Sequence, residues 1–152
     1  MADTETIKQD IRDVFDRMGF GDAVADINAF QGATSRIAVR IHGDASMLIG
    51  ERGANLAALE HLLRKVVQKR YGPEQRFTLD INDYRVRRLE ELKQDVKAAA
   101  KEVRLYRRAV PLRPMSSFER RVVHLLLEEY PDIATESIGQ DEERRVVIKP
   151  FP

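Results

Sequence analysis

The chain has no cysteine and no tryptophan among its 152 residues. Without a thiol there is no disulfide, no thiolate metal ligand and no cysteine nucleophile. That composition suits a reducing compartment, and a cytoplasmic protein is expected. Long apolar runs are missing as well. None approaches the roughly 18 residues that a membrane-spanning helix needs. The first 20 residues are acidic where a secretory signal would have a basic start and an apolar core, so no such signal is read there. Histidine is scarce, with only His42, His61 and His124. No His-Glu-x-x-His zinc spacing, Gly-x-Ser-x-Gly elbow or Gly-Lys-Ser/Thr phosphate loop occurs. We therefore expect no catalytic residues, no metal, no cofactor and no enzymatic activity. Net charge is nearly absent too, with 26 Lys and Arg against 25 Asp and Glu, or +1. Such a balance does not by itself mark a polyanion binder.

What is present is abundant charge, at 34% of residues against the usual quarter or so, on a chain that is 43% hydrophobic. The charge is unevenly spread. Residues 1–30 hold seven acids and three bases, while residues 85–121 hold twelve bases and five acids. A concentrated basic face attracts a phosphate backbone even on a nearly neutral chain.

Apolar spacing gives the element order. Ile7, Ile11, Val14, Phe15 and Met18 recur at helical intervals, predicting a helix over 5–18. Ala23 to Phe30 and Ser35 to Ile41 read as strands, the second with Ile37, Val39 and Ile41 on one face. Ala45 to Ile49 is a short apolar piece. Leu56, Leu59, Leu62, Leu63, Val66 and Val67 then form a helical stripe that places His61 in a structural setting. Phe77, Leu79 and Ile81 alternate as a third strand. The order is α-β-β-α-α-β, an α+β arrangement with a sheet covered by helices. Asn82 or Asp83 is the expected cap of a long helix to about Arg108, with an apolar seam from Leu89 to Tyr106. Lys93, Lys97, Lys101, Arg104 and Arg108 lie off that seam. Val110 to Leu112 is a short strand. Ser116 and Glu119 have capping-box spacing, and the helix they open carries Val122, Val123, Leu126 and Leu127. Strands at 133–138 and 144–148 close the chain.

Between two helical pieces lies Ile49-Gly50-Glu51-Arg52-Gly53. Glycines let a backbone approach a phosphate closely, and the amides opening the next helix favour an anion. In this position the loop resembles that of a type II KH domain over residues 20–82, with 1–19 as an N-terminal helix. The resemblance implies a clamp on about four unpaired nucleotides, with bases in an aliphatic groove. Ile49, Leu56, Val39 and Ile41 either shape that groove or are plain core. Glu51 departs from the basic loop pairs common in KH domains and opposes a phosphate that Arg52 would meet.

Arg120 and His124 are four apart and share a helix face, with Arg121 beside them. With Arg113-Pro114-Met115 before them and Thr135-Glu136-Ser137 after, they resemble an R-three-H domain. The connecting helix at 83–108 begins that region and 109–152 forms its body. The resemblance implies single-stranded nucleic-acid binding by Arg113, Arg120, Arg121 and His124. A KH domain followed by an R-three-H domain is similar to the bacterial Jag/KhpB family, in a form without the N-terminal Jag domain. The family implies an RNA-binding protein, an RNA chaperone or post-transcriptional regulator, a KhpA-like KH protein as partner, and a role in cell elongation and envelope homeostasis. Two alternatives stay open: a protein-interaction adaptor built on a degenerate KH domain, and a single-stranded DNA binder.

Overall fold

The computed structural model describes residues 3–152 and divides into two compact units, the first ending at Arg85 and the second starting at Val86. Both mix helices and strands, so the chain is α+β. The first unit contains α1 (Thr4–Arg17), β1 (Val24–Phe30), β2 (Ser35–Ile41), α2 (Ser46–Ile49), α3 (Ala54–Tyr71) and β3 (Phe77–Ile81). This is the order expected from the sequence. Met1 and Ala2, at the start of the expected N-terminal helix, lie outside the described residues.

Strand β2 is central. It pairs antiparallel with β1, where Ile27 faces Val39, and parallel with β3, where Ser35 faces Phe77. A parallel pair needs a crossover connection, and α2 and α3 supply it. Ile37, Val39 and Ile41 alternate inward and meet Phe77, Leu79 and Ile81. Ile11, Phe15, Leu56, Leu59, Leu63 and Val67 complete this core from the helices.

Two members of the expected α3 stripe do not join it. Leu62 is 49% exposed and Val66 36%. The apolar arc of α3 is wider than the face it buries. His61 is exposed on the same helix, which corrects its expected structural setting.

Polar contacts pin the helices. Asp10 of α1 is buried and bonds to the Arg70 guanidinium and, at 2.5 Å, to the Tyr71 hydroxyl, both on α3. Donation to that carboxylate pushes the Tyr71 hydroxyl above its ordinary pKa. Asp80, the other buried acid, organises the end of β3. It accepts the backbone N–H of Ile81 at 2.9 Å and of Arg85 at 3.0 Å, and pairs with Arg36 at 3.4 Å.

Helix α4 (Tyr84–Tyr106) starts there. Its first-turn amide is therefore held by Asp80, not by the expected Asn82 or Asp83. Asn82 instead exchanges two hydrogen bonds with the Ile41 backbone, at 2.8 and 3.2 Å. Asp83 pairs with Arg36 and Arg40. Both adopt positive φ, a turn conformation that Asn and Asp tolerate better than most residues.

The second unit holds the body of α4, then β4 (Val110–Pro111), α5 (Ser117–Leu127), β5 (Ile133–Ile138) and β6 (Arg145–Pro150). Strand β6 lies between β4 and β5, antiparallel to both. It runs two residues beyond the expected end because Pro150 still faces Ile133. The seam of α4 packs within this unit: Leu92, Val96, Ala99 and Val103 are buried with Val123, Leu127, Val146 and Ile148. Tyr106, expected at the end of the seam, is exposed. The capping box forms as its spacing predicts. The Ser116 hydroxyl accepts from Glu119 N–H at 3.2 Å, and Glu119 Oε2 accepts from Ser116 N–H at 3.0 Å.

Two outcomes follow from this packing. Leu63→Ala leaves a cavity in the first core and should cost about 2–5 kcal/mol. Faster hydrogen exchange at β2 and β3 amides checks it. In the second unit Arg104 grips Asp132 with two 2.8 Å hydrogen bonds and holds its carboxyl below the ordinary range. A depressed carboxyl contributes stability that is complete above its unfolded pKa and lost as pH falls through the lower folded value. Asp132→Asn should thus shrink the loss of stability below about pH 4, read by urea midpoints across pH.

Candidate nucleic-acid interface

The glycine loop lies inside the crossover between β2 and β3. Helix α2 stops at Ile49, and Gly50 takes φ 73°, ψ 177°, a backbone region essentially closed to side chains. A tight turn over Glu51–Gly53 follows, and Gly53 at φ 76° opens α3. Neighbours enforce both glycines. A Cβ on Gly50 would stand 2.6 Å from Asn55 Cγ, and one on Gly53 would stand 2.9 Å from the Tyr84 ring. Asn55 is itself fixed by a 2.7 Å hydrogen bond to the Met47 carbonyl.

Glu51 and Arg52 are exposed at the tip, in front of the first turn of the 18-residue helix α3. The helix dipole there favours an anion. Glu51 carries the opposing charge in the same turn. Before the loop, Asp44 accepts from the hydroxyl and the N–H of Ser46, and these bonds hold its carboxyl below the ordinary range.

The structure separates the four aliphatics expected near the loop. Val39, Ile41 and Leu56 are buried core, and Ile49 is half-buried against it. The large apolar side chain open to solvent beside the loop is Met47, at 74% exposure. The sequence pattern does not single out Met47, and it does not show that Asn55 and Tyr84 shape the loop. Asn55 does follow the second glycine closely, but Tyr84 is distant in sequence.

In the second unit, Arg113, Arg120, Arg121 and His124 have different surroundings. Arg113 pairs with Asp95 at 2.6 Å. Arg120 donates to the Met115 carbonyl at 2.9 Å and to the Ser117 hydroxyl at 3.0 Å, so it braces the start of α5. His124 lies against β5, with Nδ1 2.5 Å from the Thr135 hydroxyl and Nε2 3.2 Å from the Ser137 hydroxyl. Thr135 and Ser137 share one face of β5 because strand side chains alternate. A recess of about 330 Å³ opens beside His124, between Leu125, Glu128, Ile133 and Thr135. Arg121 is exposed and makes no ion pair among the described residues.

Helix α4 spends part of its positive charge internally. Lys93 pairs with Glu90, Arg104 with Asp132 and Arg108 with Glu102. Arg104 also lies over the Tyr130 ring, 4.6 Å from its centre. Lys97 and Lys101 remain exposed along a groove of about 970 Å³ whose apolar lining includes Val96, Ala100 and Leu127.

Residues 87–150 match the R-three-H domain family. The chain is 35% identical over 140 residues to the RNA-binding protein KhpB of Clostridium symbiosum, covering 91% of this chain and 62% of that one. It is 37% identical over 119 residues to the RNA-binding protein KhpB of Bacillus subtilis (strain 168), covering 75% and 57%. A protein of the same name from Streptococcus pneumoniae serotype 2 (strain D39 / NCTC 7466) is 30% identical over 101 residues, or 66% of this chain and 31% of that one. The chain thus spans less than two thirds of the length of each relative.

The two adjacent arginines should separate in a melting experiment. Arg120→Ala removes two hydrogen bonds from a charged group and should cost about 1–3 kcal/mol. Arg121→Ala touches none and should stay within about 0.5 kcal/mol of the parent.

Proposed function

Since the chain belongs to the KhpB/Jag family, we propose that it binds single-stranded RNA through two weak modules on one chain. The observation that carries this reading is an exposed arginine at each of the two motifs: Arg52 in the turn before α3 and Arg121 midway along α5. In this reading the first unit is a type II KH domain. Its loop, Gly50 to Gly53, approaches the sugar-phosphate backbone, and Ile49 and Met47 offer apolar surface beside it. The R-three-H domain holds a second stretch of strand through Arg121, while Arg120 and His124 keep α5 in register with its surroundings. Arg113 acts from its pair with Asp95, which it leaves for a phosphate.

Lys97 and Lys101 add attraction that salt screens. Glu51 keeps the loop module weak. Tethering makes the second contact intramolecular, so two weak modules give useful avidity. The role is binding without catalysis, in the cytoplasm. The family resemblance extends it to an RNA chaperone or post-transcriptional regulator, to a KhpA-like KH protein as partner, and to cell elongation and envelope homeostasis.

Filter binding across a salt series tests the reading, with RNA and DNA oligomers of the same sequence. RNA should bind more tightly, and its affinity should fall linearly on logarithmic salt axes. Replacing Glu51 and Arg52 together by Asp should weaken binding and lower the salt slope by about 1, with an unchanged circular dichroism spectrum. Asp tolerates the left-handed backbone that Arg52 occupies, so the fold should survive. Equal affinity for both polymers would remove the RNA preference, and salt-independent affinity would remove the reading itself.

A further inference from the structure

We propose that the outer face of α5 is a base-stacking platform, where Phe118 receives an unpaired nucleobase, Leu125 extends the apolar surface and Arg121 takes the adjoining phosphate. The inference rests on the RNA-binding reading above and adds Phe118 and Leu125 to it.

Helix α5 faces inward with Val123 and Leu127, which are buried. Its outer face is not needed for packing, yet it carries two large apolar side chains. Phe118 is 63% exposed and Leu125 60%. They are seven residues apart, two helical turns, and so lie on one stripe. Arg121 falls between them, three residues from Phe118 and four from Leu125, which brings its guanidinium beside both.

A single exposed apolar residue is ordinary. An aromatic ring, an aliphatic side chain and an unpaired guanidinium on one stripe are a specific combination. It matches the two parts of a nucleotide: a π face for the base and a planar fork for the phosphate. The surrounding charges set the polarity of the stripe. The Glu119 carboxylate is engaged by the Ser116 N–H and by Arg88, so it does not oppose a phosphate in the first turn. Glu128 and Glu129 are exposed beyond the other end of the helix and repel one there. The phosphate therefore belongs beside Arg121, with the base over Phe118. A duplex keeps its bases stacked and hidden, so the occupant is single-stranded.

The missing tryptophan provides a direct readout. Phe118→Trp places a single tryptophan in the full chain. Its emission should be quenched on titration with oligoadenylate and should not respond to inorganic polyphosphate, which has charge but no base. Phe118→Ala should weaken oligoadenylate binding roughly five- to a hundredfold and leave polyphosphate affinity unchanged. Arg121→Ala should weaken both. Melting curves check that each variant is folded, which the exposure of both side chains favours. If Phe118→Ala binds oligoadenylate as the parent does, the platform is wrong although the RNA-binding reading stands. If the parent binds no RNA at all, both fall. Quenching by polyphosphate equal to that by oligoadenylate would also overturn the stacking role.

Discussion

Asp80 is a carboxylate with almost no access to water, at the end of the last strand of the first sheet. A buried charge left without partners costs several kcal/mol, so the chain has to bring partners to it. They come from three places: the next residue on β3, Arg36 on β2, and the first-turn amide of α4. Glu60 repeats the device from α3, accepting from Leu79 N–H at 2.9 Å and pairing with Arg64 and Arg85. Together the two acids fix where β3 ends and where α4 begins. Tyr84, at that junction, is the residue whose ring leaves no room for a side chain at position 53. The shape of the glycine loop thus depends on a polar junction far from it in sequence.

Local pattern carried much of this architecture. Strand β2 falls on the residues its alternation predicts, β5 on those expected for it, and the Ser116–Glu119 spacing forms the box it encodes. These features depend on neighbours within a few residues, which the sequence displays directly. What it hid depends on partners brought together by the fold. Asn82 looks like a helix cap, but it is recruited by the Ile41 backbone across the sheet. Leu62 looks like core, but half of it stays open to solvent on α3. Arg120 also donates to the Met115 carbonyl and the Ser117 hydroxyl, contacts that its spacing from His124 does not show. No spacing rule announces Thr135 and Ser137 as the two hydroxyls that bracket His124.

The same division governs charge. Twelve bases between residues 85 and 121 suggest a continuous basic surface. Folding pairs several of them locally: Arg85 with Glu60, Arg88 with Glu119, Arg113 with Asp95. Among the described residues a smaller set, which includes Arg87, Lys97, Lys101 and Arg121, is left without an ion pair. Counting charges in a sequence measures supply, whereas the fold decides which of them are paired.

The parallel pairing of β2 with β3 has a consequence in time. Ser35 faces Phe77, so this contact closes a long stretch of chain, and α2, the glycine loop and α3 all lie inside it. Contacts between distant residues carry the loop-closure entropy and are the slow ones to form. The polar junction that shapes the loop cannot assemble before β3 reaches β2. A chain emerging from the ribosome therefore displays Gly50 to Gly53 well before it has a shaped loop. The loop takes its shape only with the closing of the sheet.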